Sequence, residues 1–384
     1  MCSQQSKGAK YPQKSFNCAD AFSIKITRFH AALKPIFRSL KPFQAFSSLL
    51  NLGARDFSFY MNTHNRIQAD MLMRRFLFEN FPEIYPSESY MVQPRPLIDS
   101  DLLAGEYLQA QLLGCDILFT DDNLPEVQCA HLTDAQIEAL SVPDLDHSTV
   151  WAMYEKQMKT LISRFGHVES YLDLCGVQNL AFALRGQELF IDYYENPRLA
   201  HHLLTVCTQT LIAVADRLRQ YTSHISTGVS SILGKTAPQA YLTSNCTVDM
   251  ISADLYETYL MPYDIQLAEH FGVFAVHHCG MHCERFAPLY RKTPNLVWLE
   301  AGAHSDFHAV RSACENSWLN LRYSPQNLLC ESIPEIQENV RSQFSSASFE
   351  KRNDFTSMSC VGIDVNTPDQ NVIAFCRAIQ DIPQ

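Results

Sequence analysis

The sequence predicts a parallel α/β protein and, within that class, a (β/α)8 TIM barrel with an N-terminal extension. Two observations carry this. From residue 61 onward, helix-like and strand-like runs alternate, as a parallel sheet with crossover helices requires. Several strand-like runs also end in a polar or metal-capable residue: Asp121, Asn179, Cys246, Cys279, Glu300, Arg322 and Cys360. In a barrel the C-terminal strand ends ring one mouth, and chemistry sits there.

Residues 1–60 are read as a basic extension and residues 61–384 as the barrel. Residues 1–18 are polar and rich in Lys, Ser and Gln. From Ala21 to Leu50, Ile26, Phe29, Leu33, Phe37 and Leu40 recur at helical spacing, but Pro35 and Pro42 break any long helix. The expectation is a segment that packs on the main domain. A targeting sequence or a membrane-surface helix is the alternative.

In the barrel region a helix-like stretch from Leu102 to Leu113 ends at Gly114 and leads into CDILFTDD, a strand stopped by Asp121 and Asp122. A helix over Thr149–Phe165 precedes the strand-like YLDLCGVQN. Ala181–Tyr194 and Pro197–Tyr221 read as two helices, the second with Pro at its start. AYLTSN is the next strand and reaches Cys246. Ser252 caps the following helix, with Asp254 in its first turn, and that helix ends near Gly272. FGVFAVHHCG, NLVWLEAG, WLNLRYSP and FTSMSC are the remaining strands. Helices are expected near Asp306–Cys314, Pro334–Phe344 and Asn371–Ile379 between and after them.

Composition narrows the function classes. Hydrophobic residues make up 46% of the chain, and 13 of 384 residues are Gly, which fits a folded core. No window offers about 18 uninterrupted apolar residues, so no membrane span is expected. The 13 Cys form no short secreted framework and fit a reducing, cytoplasmic setting in which thiols are free to bind metal. Net charge is −11, yet residues 1–55 hold nine Lys/Arg against Asp20 alone, which is +8. The remaining 329 residues therefore carry −19, and so acidic a body argues against nucleic acid as a partner.

The chemistry centres on residues 271–280. Along a strand, side chains alternate between faces, so Val273, Ala275, His277 and Cys279 share one face and His278 takes the other. His277 and Cys279 then present an imidazole and a thiol together at the strand end, a pairing that suits zinc. His278 is assigned to packing. A third ligand should come from another strand end, and Cys360 closes FTSMSC. His277, Cys279 and Cys360 would leave one position open, as catalytic zinc sites do. Cys246 and Glu300 compete for that fourth or exchangeable place, although packing, or support of a ligand from behind, is the preferred reading of each. Glu300 and Asp121 are the candidate catalytic groups, and Asn179, Asp122, Arg322 and Cys246 the candidate substrate contacts. His282 and Cys283, past the strand in CGMHC, are read as local structure.

These motifs resemble those of the uroporphyrinogen decarboxylase-like superfamily, in its zinc-dependent corrinoid methyltransferase branch related to cobalamin-independent methionine synthase. VHHCG and SMSC match that branch's His-x-Cys strand and lone Cys on the last strand. GVQNLAFALRG followed by ELFIDYYENPRLAHHLL, TVDMISADLYETYLMPYDIQLAEHFG and LEAGAHSDFHAVR are similar to further segments, so the likeness covers roughly residues 100 to 384. It implies Zn(2+) and a methyl group delivered on a corrinoid by a partner corrinoid protein. The acceptor would be a small molecule, either a thiol or a tetrahydrofolate-type pterin. A uroporphyrinogen decarboxylase-type tetrapyrrole decarboxylase is the alternative. It needs an Arg-rich N-terminal segment, for which Arg95, between Pro94 and Pro96, and Arg74 and Arg75, in a helix-like run without a glycine turn, are poor counterparts. A non-catalytic corrinoid-protein-binding barrel is the reading from a different class.

Overall fold

The computed structural model describes residues 62–81, 94, 96–99, 105–118, 126–171, 174–222, 232–348, 355–361, 363 and 366–382. The basic extension, Arg95, Asp121 and Asp122 lie outside the described residues.

The centre of the protein is a five-stranded parallel sheet. Its strands are β5 (Tyr241–Ser244), β6 (Phe274–His278), β7 (Leu296–Ala301), β8 (Trp318–Arg322) and β9 (Thr356–Ser359), in that order. Upstream, β1 (Leu97–Asp99) pairs in parallel with β4 (Glu169–Tyr171). The chain just after β4 joins the large sheet through a parallel bridge from Cys175 to Ser244. The remaining pair, β2 (Ile117–Leu118) with β3 (Glu126–Val127), is antiparallel. Helices fill the crossovers, including Thr149–Phe165, Val177–Arg185, Pro197–Leu218, Met261–Phe271, Ile333–Ala347 and Asp369–Gln380. The architecture is mixed α/β with a parallel sheet.

Both sheet faces are apolar, which is why the strands read as near-continuous hydrophobic runs. On the helix side, Val276, Leu299, Leu319, Leu321, Met358 and Cys360 join the main core with Tyr256, Phe286 and Phe375. On the other side, Leu242, Ala275, Trp298 and Trp318 pack with Leu233, Ala237 and Ala240. One step further along each strand, that second side turns polar at Ser244, His277, Glu300, Asn320 and Ser359, all buried. Register aligns them: Ser244 stands opposite His277, His277 opposite Glu300, and Glu300 opposite Asn320.

Local signals account for most element ends. Gly166 and Gly272 end their helices in the left-handed region, φ +80° and +76°, where a side chain would be strained. Ser252 Oγ accepts from Leu255 N–H at 3.2 Å. The expected Ala181–Tyr194 helix is two elements, Val177–Arg185 and Glu188–Glu195. Gly186 adopts φ +75° and breaks the path, and Phe182 and Phe190 pack across the break with ring centroids 5.5 Å apart.

Arg311, 4% exposed on the helix Phe307–Ala313, ties β9 to its neighbours. Its guanidinium donates to Ala347 O at 3.0 Å, Ser317 O at 2.8 Å, Phe355 O at 3.1 Å and Thr356 Oγ1 at 3.1 Å. A lysine cannot reproduce that planar fork. Arg311→Lys should therefore cost about 2–4 kcal/mol, because buried carbonyls lose charged donors. Urea unfolding measures it; a loss below about 0.5 kcal/mol, the surface-substitution range, would refute the assignment.

Candidate metal centre

His277 sits where β6 meets the polar layer, and Cys279 follows one residue past the strand, so both point toward the same space. Cys246, two residues beyond Ser244, reaches that space from β5. The three donor atoms, two thiol sulfurs and an imidazole nitrogen, all lie within 4.8 Å of one another. His277 is 1% exposed, whereas Cys279 is exposed at the mouth.

The imidazole is held from behind. His277 Nδ1 donates a short hydrogen bond to Glu300 Oε2, which turns the other ring nitrogen toward the thiols. Glu300 is fully buried, and its Oε1 accepts from Asn320 Nδ2 at 3.1 Å, Arg322 at 3.2 Å and Ser359 Oγ at 3.3 Å. Metal-binding histidines characteristically carry such a carboxylate on the far nitrogen.

The electrostatics agree with this wiring. Burial alone would lift the Glu300 carboxyl, but the charges of His277 and Arg322 outweigh it and hold the group anionic. Burial likewise disfavours a charged His277, and Glu300 and Cys279 overcome that penalty and raise its pKa. The Cys279 thiol is pulled well below its ordinary range, first by a hydrogen bond from Cys246 and then by His277. A thiolate is the form that ligates metal. Two sulfurs, one imidazole and an opening to solvent fit a soft divalent ion such as zinc.

The remaining sequence-derived candidates fall in distinct places. His278 is buried on the helix side, bonded through Nδ1 to Tyr290 OH at 2.8 Å and packed on Phe286. Arg322 is half-buried beside Glu300. Asn179 is not at a strand end but in the first turn of the helix Val177–Arg185, because Gly176 already serves as its N-cap. Its side chain donates to Ser244 O at 2.8 Å and accepts from Thr247 N–H at 3.0 Å. Cys360 is buried in the apolar cluster between sheet and helices and is not in the Cys246–His277–Cys279 group. Cys283 is buried there as well. The motif reading missed Gly302, where an added Cβ would stand 1.8 Å from Gly280 O, so the turns after β6 and β7 are packed backbone to backbone. Its signal was the repeated Cys-Gly-Met-His and Ala-Gly-Ala-His at the two strand ends. His282 and His304 both adopt positive φ there, 62° and 70°.

Fold and site together define a parallel α/β protein with a cysteine–histidine centre at the C-terminal ends of its strands. No family model matches the chain, and no curated protein matches it. Among solved structures it is similar in fold to a methyltransferase from Methanosarcina mazei, at 16% identity over 87% of this chain and 90% of that one, with a TM-score of 0.57. A B12-independent methionine synthase from Shewanella sp. W3-18-1, in complex with selenomethionine, aligns at 11% identity over 59% and 64% of the chains, with a TM-score of 0.36. The second is too slight to carry an argument. Among the described residues no helix is long and apolar enough to cross a membrane.

Proposed function

We propose that this chain is a zinc-dependent methyltransferase whose parallel sheet closes as a (β/α)8 barrel. It moves a methyl group from a methylated corrinoid protein to a thiol or tetrahydrofolate-type acceptor. The observation that carries the reading is the convergence of Cys246, His277 and Cys279 at the strand ends, with buried Glu300 fixing the imidazole. The fold shared with a protein named as a methyltransferase supports it.

Bound there by His277, Cys279 and a second thiolate, zinc would supply a Lewis acid that lowers the pKa of an acceptor thiol. The protein's own part is to hold His277 in one tautomer through Glu300 and to keep Glu300 anionic through Arg322. Cys279 stays accessible at the mouth, where a donor can approach.

If the acceptor is a thiol, its sulfur binds with loss of a proton. Adding the right thiol to zinc-loaded protein should then acidify a weakly buffered solution by up to about one proton per site. Methylcobalamin supplied with a thiol, and separately with tetrahydrofolate, tests turnover. Transfer to the pterin without proton release from any thiol would replace the thiolate mechanism by Lewis-acid activation. Tight zinc with no transfer to either acceptor would favour a non-catalytic corrinoid-binding barrel.

A further inference from the structure

The resemblance places the third ligand, a second thiolate, on the last strand, at Cys360. We infer that it comes instead from Cys246, and that Gln178 and Asn179 form a clamp whose task is to aim it. This rests on the zinc reading above and specifies its ligand set.

Strand parity argues first. Ser244 stands opposite His277 across β5 and β6, so Cys246, two residues on, comes level with Cys279 and on the same side. On β9 the inward position is taken by Ser359, whose hydroxyl bonds Glu300 and accepts from Asn320 Nδ2 at 2.8 Å. Cys360 therefore faces the helices, with Met358, in the apolar cluster. Bringing Cys360 to the site would mean reversing the end of β9, where Tyr323 N–H already bonds Ser359 O at 2.8 Å.

The second argument is how firmly the Cys246 turn is built. Ser244 O accepts from Gly176 N–H at 3.0 Å and from Asn179 Nδ2 at 2.8 Å. Asn245 N–H donates to His277 O at 2.8 Å, and its side chain donates to buried Asp264 at 3.0 Å. On the far side of the cysteine, Thr247 gives both its N–H, at 3.0 Å, and its hydroxyl, at 2.7 Å, to Asn179 Oδ1. Gln178 Nε2 donates to Thr247 O at 2.8 Å, while Tyr193 OH fixes Gln178 Oε1 at 2.9 Å. One helix N-terminus thus grips the residues before and after Cys246 and leaves its thiol aimed at His277 and Cys279. Such a clamp reduces the ordering that metal binding must impose.

Asn179 is accordingly a positioning residue. Its Asp variant keeps the acceptor for both Thr247 groups and exchanges the donor to Ser244 O for a carboxylate oxygen, so it breaks one half of the clamp at nearly constant volume.

The test loads purified wild type, Cys246→Ser, Cys360→Ser, Asn179→Ala and Asn179→Asp with Zn(2+) and, in parallel, with Co(2+). Zinc stoichiometry, competition with a chromophoric chelator, the sulfur-to-cobalt absorption and thermal melting are read. Wild type and Cys360→Ser should hold one metal with two-thiolate absorption. Cys246→Ser should show one-thiolate absorption and lose stoichiometric zinc under the chelator. Asn179→Ala should weaken zinc about 10- to 100-fold, the usual range for groups that orient ligands, with Asn179→Asp between it and wild type. Retention of both thiolates in Cys246→Ser with loss in Cys360→Ser would overturn the inference and leave the zinc reading standing. An Asn179→Ala protein that folds and binds zinc as wild type does would overturn the clamp. Wild type without metal would sink the underlying reading itself.

Discussion

Glu300→Ala should be among the most damaging single changes in this protein, costing about 3–5 kcal/mol of stability, because it strands buried charged partners. Four groups converge on that carboxylate: His277 Nδ1 on one oxygen, and Asn320, Arg322 and Ser359 on the other. All but Arg322 are fully or almost fully buried, so water cannot stand in for the lost acceptor without opening the sheet. The damage would extend to the metal, since Glu300 is the group bonded to His277 Nδ1 and sets the ring's orientation. Glu300→Gln keeps the volume and one acceptor oxygen but presents an amide to one set of donors. It should lose less stability and about 10- to 100-fold in zinc affinity. Urea unfolding at constant slope and chelator competition give the two numbers. Equal stability of Glu300→Ala and wild type would show that the network is not formed as described.

How much of this was legible in the sequence depends on the range of the interaction. Alternation along FAVHHC is local, and the structure has His277 with Cys279 on one side and His278 on the other. Helix limits set by Gly166, Gly272 and Ser252 were readable for the same reason. Cys246 was visible as a polar strand end and a competitor for the fourth position, not as a partner of Cys279. Its partnership with Cys279 depends on the register between β5 and β6, which is fixed by non-local pairing. FTSMSC posed the reverse difficulty. Ser, Met and Cys there are all small or adaptable, so the run shows no clear apolar face and the outward setting of Cys360 left no mark. Asn179 looked like a strand end because YLDLCGVQN reads as one stretch, whereas Gly176 starts a helix inside it. CDILFTDD is described only at Ile117–Leu118, so the expectations for Asp121 and Asp122 fall on residues outside those described.

Gly302→Ala is the other change with a large expected effect, and the reason is steric. A Cβ at Gly302 would lie 1.8 Å from Gly280 O and 2.8 Å from Cys279 O, both backbone atoms that cannot rotate away. The strand end carrying Cys279 would have to move, so stability and metal binding should fall together. Overpacking of this kind costs about 1–3 kcal/mol, and more where backbone must yield, so about 3 kcal/mol or more is expected here. Two other glycines calibrate the claim. At Gly280 the added methyl would meet the Asp249 carboxylate at 2.1 Å, but that is the end of a side chain rather than backbone. At Gly272 nothing lies within 4 Å, and the penalty is only that of φ +76°, about 1–2 kcal/mol. Gly302→Ala should therefore be the worst of the three in urea unfolding. It should share with Gly280→Ala, but not with Gly272→Ala, a loss of zinc affinity, because only those two turns carry or touch Cys279. If Gly302→Ala proves no worse than Gly272→Ala, the turns after β6 and β7 are not in contact.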